Sequence, residues 1–277
     1  MHLNTRELVK KYNFNFTKSL GQNFLVDEAV VSDIIEGSGI GPEDHVLEIG
    51  PGVGSLTRAL VGKAGKVTAI EIDDRLIPIL REQFQASPHF EVIQGDVLKQ
   101  DLNKLLGSEP IHVVANLPYY VTTPILLRLL SQGINWRSIT IMIQKEVAER
   151  LTAMPGTKEY GALTLLVEYY AQAVPVRLVS PGCFIPRPKV ESMVIRLDRR
   201  PEPLVSPKNE AFFFKVVRQS FAMRRKTLNN TLKPLGLTKE AMERGFSAAG
   251  IDPARRGETL TIDEFCALAD ALYEVDA

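Results

Sequence analysis

EIGPGVGSLT, residues 48 to 57, decides how the chain folds: a branched apolar run leads into three spaced glycines, and an amphipathic stretch follows at once. The run HVLEIG (45 to 50) has the make-up of a strand, and SLTRALVGKA places its apolar residues at the three- and four-residue spacing of a helix. Gly50, Gly52 and Gly54 between them permit a tight turn and a close backbone approach to a ligand, as in nucleotide-binding βα turns. The spacing is GxGxG, and Ser55 stands where a dinucleotide fingerprint wants glycine or alanine. A ligand without pyrophosphate, such as S-adenosylmethionine, suits this turn better than a nicotinamide dinucleotide.

Outward from the turn, KVTAIEID (66 to 73), FEVIQ (90 to 94), IHVVAN (111 to 116) and SITIMIQ (138 to 144) have the same strand character. DRLIPILREQF, TTPILLRLLSQ and QKEVAERLTAM between and after them have helical periodicity. Such alternation is the sequence form of a parallel sheet made of βαβ units. AVPVRLV (173 to 179) and ESMVIRLD (191 to 198) are joined by PGCFIPRPK, too short for a crossover helix, which predicts an antiparallel strand at one edge. After RRPEPLVSP (199 to 207) only helical patterns remain. The expectation is an α/β, Rossmann-like sheet of seven strands, mostly parallel with one antiparallel, over residues 1–203, and a small all-α domain over 204–277.

A length of 277 residues with 45% hydrophobic side chains suffices for a substantial core, and the net charge of zero gives no general sign of a polyanionic partner. Cys183 and Cys266 lack CxxC spacing, so neither a disulfide framework nor a cysteine metal site is expected. The start MHLNTRELVKKYNFNF has no signal-peptide character, and no long apolar run suggests a membrane span. A soluble protein of the reducing cytoplasm, with no metal, is the expectation.

Ligand-type residues recur at successive strand ends, in the crevice where open α/β sheets bind ligands. Glu71, in AIEID, can accept hydrogen bonds from both hydroxyls of a ribose; the plainer alternative is a solvated acid. Asp96, in GDVL, can accept from an adenine amino group, although an aspartate after glycine is often only a turn residue. The fourth strand runs into Asn116-Leu117-Pro118-Tyr119.

Those four residues carry the chemistry. Adenine N6 is a poor nucleophile because its lone pair is delocalised into the ring, so two acceptors aimed at the amino hydrogens would redirect it toward a sulfonium methyl. The side-chain oxygen of Asn116 can supply one and the carbonyl of Leu117 the other, both favouring the tetrahedral nitrogen of the transition state. Pro118 confines Leu117 to extended geometry and brings no N–H. Tyr119 offers a ring for the base to stack on, worth roughly 1 to 3 kcal/mol. The alternative is an ordinary strand followed by a proline turn with a core tyrosine. No histidine lies in these motifs, and none is needed, because the acidic product ammonium can lose its proton to water.

Two segments are expected to complete the pocket. In GQNFLVD (21 to 27), Asn23 and the backbone of Leu25 suggest an amino-terminal lid, or equally a helix start with Asp27 as cap. In FIPRPKVES, Phe184 could sandwich a flipped base against Tyr119, or be a core aromatic. From Arg187 to Lys233 twelve basic side chains face four acidic ones. That run is either a solvated face or a phosphate-binding surface, and it nominates Arg187, Lys189, Arg218, Arg224, Arg225 and Lys226 as RNA contacts.

Together GQNFLVD, VLEIGPGVGSLT, AIEID, GDVL, NLPYYVTTPIL, FIPRPKVES and SFAMRRKTLNNTL resemble the KsgA-type (RsmA) ribosomal RNA adenine N6,N6-dimethyltransferases over nearly the whole chain. The resemblance implies S-adenosylmethionine contacts at Asn23, Leu25, Gly50, Glu71, Asp96 and Asn116, with Gly52 in the same turn. It further implies four methyl transfers to two adjacent adenosines in the terminal hairpin loop of 16S rRNA, within small-subunit particles, by a monomeric enzyme. The residues alone reach only an adenine-type N-methyltransferase. Rivals are the large-subunit enzyme of the antibiotic-resistance type, which usually has isoleucine in place of Leu117, a non-catalytic nucleic-acid-binding factor on the same scaffold, and a nicotinamide dehydrogenase.

Overall fold

The computed structural model describes residues 3–17 and 20–275. Its strands, in chain order, are β1 (Phe24–Leu25), β2 (His45–Ile49), β3 (Lys66–Glu71), β4 (Phe90–Gln94), β5 (Ile111–Asn116), β6 (Trp136–Gln144), β7 (Ala171–Val179), β8 (Phe184–Ile185) and β9 (Ser192–Arg199). β1 and β8 form a small antiparallel ladder, and the other seven make one sheet in the order β4-β3-β2-β5-β6-β9-β7. β2 to β6 run parallel, while β9 lies antiparallel to β6. The expected Rossmann-like sheet, with its antiparallel strand, is therefore present.

Residues Ile111 to Ala115 are all buried, as they must be in a parallel strand covered on both faces. From β2 the chain builds outward through β3 and β4, then returns to place β5 on the other side of β2. That reversal opens a crevice at the carboxyl ends of β2 and β5, where no crossover helix covers the gap. β6 begins at Trp136, two residues before the expected SITIMIQ, because the indole is 2% exposed and belongs to the core.

Helix starts follow local chemistry. Asp27 caps the helix Glu28–Ser38, its Oδ1 accepting from the N–H groups of Ala29 and Val30, and Gly39 closes that helix in the left-handed conformation. The helix Ser55–Val61 starts directly after Gly54. A Cβ on Gly54 would come within 2.9 Å of the Phe84 ring, so the third glycine of the turn serves close helix packing.

The chain divides into two compact units: the described residues up to Ala148 together with Ala173–Arg199, and Glu149–Gln172 together with the chain from Arg200 onward. The expected division at 203/204 put residues 149–172 with the sheet, whereas the structure groups them with the helical part. The cause is aromatic packing. Tyr169 stacks on Phe213 and meets Phe214 edge-on, the carbonyls of Tyr169 and Tyr170 accept from the N–H groups of Leu204 and Arg200, and the Tyr160 hydroxyl donates to the Leu260 carbonyl at 2.9 Å. Helices Glu210–Phe221, Lys239–Ala249 and Ile262–Glu274 complete that unit. Among the described residues no helix is long and apolar enough to cross a membrane.

Candidate active site

At the crevice lies a cleft with about 780 Å³ of atom-free space, part of it open to solvent. Its walls come from the carboxyl ends of the strands and from the segment before β1, and they include Gly50, Gly52, Glu71, Asp96, Asn116 and Tyr119. At the glycine turn Gly50 has φ +69° and Gly52 φ +60°, the left-handed region that glycine enters without strain. A Cβ on Gly52 would lie 3.0 Å from the Phe24 ring, whereas one on Gly50 would meet nothing within 4 Å. The space in front of Gly50 is open.

Glu71 is 4% exposed, and each carboxylate oxygen holds one backbone donor: Oε2 accepts from the Gly52 N–H at 3.1 Å and Oε1 from the Asp73 N–H at 2.9 Å. Burial pushes its pKa up to about 7, with those N–H groups pulling the other way. An acceptor site remains on each oxygen, which suits a pair of vicinal hydroxyls. Asp96 is turned by its own loop, Oδ1 accepting from the Leu98 N–H at 2.9 Å.

Asn116 is fixed at its nitrogen end. Its Nδ2 donates to the Asn23 carbonyl at 3.0 Å, and Oδ1 has no hydrogen-bond partner among the described residues. The Leu117 N–H donates to the Met142 carbonyl at 3.1 Å, while the Leu117 carbonyl accepts nothing from the described residues. Two adjacent acceptors are thus left unused at one rim of the cleft. The Tyr119 hydroxyl lies 2.6 Å from Ser192 Oγ, on a fully buried serine, and this contact sets the ring; burial pushes the phenol upward.

The segment Leu20–Phe24 walls the cleft as expected of a lid. Asn23 acts through its carbonyl, its own Nδ2 donating to Gly21. Leu25 differs from expectation. Its carbonyl already accepts from Thr5 Oγ1 at 3.0 Å, and it pairs with Phe184; it lines two side hollows, of about 300 Å³ and about 880 Å³, and not the main cleft.

Phe184 requires a correction. Its ring is 2% exposed and packs with Leu25, Ile34, Val114 and Met142, away from the cleft wall, because pairing of β8 with β1 turns it into the core. In this arrangement it cannot stack on a base. Instead it supports β1, whose preceding residue, Asn23, orients Asn116.

Sequence inspection missed Glu48, Tyr120, Gln22 and Asp73. Glu48 is 1% exposed, its Oε2 has no partner, and it borders the same side hollow as Gly50, Gly52 and Asn116. Burial drives its pKa up to about 8, and the nearby Glu71 charge adds to the rise. An acid within a strand otherwise buried on both faces was the available signal. Tyr120, 57% exposed, stands at the cleft mouth.

The basic residues fall into two groups. In the first unit Arg187 and Lys189 are exposed in the loop between β8 and β9. In the helical unit Arg218, Arg225 and Lys226 are exposed and make no ion pair among the described residues. Arg224 is exposed as well, and its guanidinium donates to the carbonyls of Lys158 and Tyr160, which fix its position while leaving its charge unpaired among the described residues.

A family model described as ribosomal RNA adenine dimethylase matches residues 13–274. The chain belongs to the ribosomal RNA adenine dimethylase family. It is similar to the ribosomal RNA small subunit methyltransferase A of Clostridium botulinum (strain Loch Maree / Type A3), 58% identical over 274 residues, covering 99% of this chain and 100% of that protein. The protein of the same name from Clostridium acetobutylicum is 56% identical over 271 residues, covering 98% of each. Among solved structures, a dimethyladenosine transferase from Plasmodium falciparum matches with TM-score 0.74 at 26% identity, covering 88% of this chain and 95% of that one. The 23S rRNA methyltransferase ErmE matches with TM-score 0.69 at 29% identity, covering 91% and 100%.

Proposed function

We propose that this dimethylase transfers four methyl groups from S-adenosylmethionine to the N6 atoms of two adjacent adenosines in the 3′-terminal hairpin loop of 16S rRNA, acting as a cytoplasmic monomer on small-subunit particles during ribosome assembly. The observation that carries the proposal is the Asn116 amide, held at its nitrogen end by Asn23 so that its oxygen and the Leu117 carbonyl form an unused acceptor pair. The relatives named for the small subunit match at 56 to 58% identity along essentially their whole length, against 29% for the 23S enzyme, which favours the small-subunit substrate. Leu117, where the large-subunit type usually has isoleucine, agrees.

When bound, the donor supplies a methyl group activated by a positive sulfonium. The residues fit such a ligand. Glu71 would accept from its ribose hydroxyls with the acceptor sites its backbone contacts leave over, and Asp96, also on the cleft wall, would accept from its adenine amino group. The unpartnered Oε2 of Glu48, on the side hollow that Gly50, Gly52 and Asn116 also border, would accept a hydrogen bond from a cationic amino group placed there. With such a cation beside it Glu48 would be held as the carboxylate.

At the acceptor, the Asn116 oxygen and Leu117 carbonyl accept hydrogen bonds from N6, from both of its hydrogens in the first transfer and from the one that remains in the second, and pull the nitrogen toward tetrahedral geometry, an interaction stronger in the transition state than before it. The Tyr119 ring, fixed through Ser192, supplies a stacking surface. The donor would supply the methyl group at the expense of its own S–CH₃ bond, and the extra proton on nitrogen would leave to water. Arg187 and Lys189 on one unit, and Arg218, Arg225 and Lys226 on the other, supply phosphate contacts. Assaying purified, unmethylated small and large ribosomal subunits with labelled donor tests the substrate. Label confined to the small subunit is expected, and label on the large subunit alone would overturn the assignment.

A further inference from the structure

We propose that Asp73, with Arg75 and Gln22, is the positioning latch of the methyl-transfer site: it pins the segment Leu20–Phe24 across the cleft and, through that segment, fixes which end of the Asn116 amide faces the base. The inference rests on the function proposed above and deepens it.

Asp73 is buried, 4% exposed, two residues beyond Glu71. Its Oδ2 accepts from Gln22 Nε2 at 2.7 Å and from Arg75 Nη2 at 2.6 Å, and its Oδ1 accepts from Arg75 Nε at 2.8 Å. Arg75 reaches further along the amino-terminal segment, donating through Nη1 to the Asn15 carbonyl at 3.2 Å and through Nη2 to Thr17 Oγ1 at 2.6 Å, with its guanidinium 4.8 Å from the Phe14 ring centre. Gln22 closes the loop, its Oε1 accepting from the Thr17 N–H at 2.8 Å. On the opposite bank Gly21, at φ +58°, lies so close to Tyr120 that an added Cβ would be 3.0 Å from the ring. The segment is therefore held at both sides of the cleft. A charged, nearly buried carboxylate with three side-chain donors is strong fixation, because loss of any donor leaves a buried acceptor short of a partner.

The consequence for chemistry lies one residue on. Asn23 follows Gln22, and its carbonyl takes the Nδ2 hydrogen of Asn116. An amide oxygen and nitrogen have nearly the same shape, so only this contact tells Asn116 which end to turn outward. With the latch open the amide can flip and present its NH₂ to the adenine NH₂, donor against donor. Because the Asp73 N–H also binds Glu71, the donor-binding acid and the base-binding amide are joined by one chain of contacts.

Three variants test this: Gln22→Ala, Arg75→Ala and the conservative Asp73→Asn, which keeps an acceptor for Gln22 but loses the charge facing Arg75. The readouts are S-adenosylhomocysteine affinity by calorimetry, the single-turnover rate on unmethylated small subunits at saturating donor, and amide exchange across residues 20–24. Gln22→Ala and Arg75→Ala are expected to slow the single turnover about tenfold or more while changing affinity less than about threefold, the split that marks loss of a transition-state interaction. Asp73→Asn falls between, and amides of 20–24 exchange faster in all three. Combined with Asn116→Ala, Gln22→Ala should add no further slowing, since both act on one amide. Wild-type rates in Gln22→Ala and Arg75→Ala overturn the latch, as does slowing that multiplies with that of Asn116→Ala. If the wild-type protein methylates no RNA, the function proposed above fails; the latch is then decided by exchange alone, and unchanged protection of 20–24 overturns it.

Discussion

At the carboxyl edge of the sheet Glu71, Asp96 and Asn116 stand around a cleft, while at the amino edge Asp44, His112 and Ser138 form a chain that outwardly resembles a hydrolase triad. His112 Nδ1 lies 2.7 Å from Ser138 Oγ, and its Nε2 lies 3.5 Å from Asp44 Oδ1. Yet Ser138 is 1% exposed and His112 4%, both inside strands with neighbours on either side. Burial lowers the His112 pKa, with the Asp44 charge opposing, so the ring is a neutral core group. At the other edge the chain leaves its strands through glycine at residue 50 and proline at residue 118, and those turns keep backbone and space free. Reactive side chains are common to both edges; unused acceptors beside a cavity belong to one.

The sharpest way to break this contrast is Asn116→Ala. It should lower turnover on the order of a hundredfold, the usual scale for removing one oriented transition-state contact. Donor-product affinity, read by calorimetry, should stay nearly constant; equal losses in both would make Asn116 a cofactor ligand only.

Next in size is Glu71→Ala, expected to weaken binding of S-adenosylhomocysteine by about 1.5 to 3 kcal/mol, the range for hydrogen bonds to a charged group. Unchanged affinity would move the donor elsewhere.

Glu48 sharpens the comparison through pH. Its pKa of about 8 and that of Glu71, about 7, stand above the ordinary 4.5, so the folded protein holds protons that the unfolded chain has lost. This contribution is complete below about pH 4.5 and disappears as the pH climbs through about 7 and about 8, so the melting temperature of the ligand-free protein should fall across that window. Glu48→Gln should flatten the fall. Binding of the donor near pH 7 should release protons from Glu48 and Glu71, up to about one from Glu48, visible as a buffer-dependent calorimetric heat that Glu48→Gln diminishes; a release unchanged in Glu48→Gln would separate Glu48 from the ligand.

The smallest effect is expected at the sealed edge, where Ser138→Ala removes one buried hydrogen bond, costs about 1 kcal/mol of stability in denaturant unfolding and leaves turnover unaltered. A tenfold loss of turnover would mean that the two edges are functionally joined.

Much of this was legible in the residues. EIGPGVGSLT announced its strand, turn and helix, and Glu71 and Asn116 each end a recognisable strand while Asp96 lies just past one, so the residues that line the cleft were legible together. Periodicity told less where one apolar face could join either of two cores. Residues 149–172 went to the helical unit because Tyr160, Tyr169 and Tyr170 found aromatic and carbonyl partners there. Phe184 was legible as either a core or a stacking ring, and the β1–β8 ladder settled its direction. The latch could not be read at all, since Gln22 and Asp73 are 51 residues apart and neither carries a local pattern that points to the other.

In the function proposed, the paired acceptors at Asn116 and Leu117 receive an exocyclic purine nitrogen. Mapping the methyl groups that the protein adds to unmethylated small subunits, by mass spectrometry of the isolated nucleosides and their positions in the RNA, tests it most directly. N6,N6-dimethyladenosine at two adjacent positions of one hairpin loop is the expected result. Methylation on a ring atom, a ribose or a pyrimidine would contradict it.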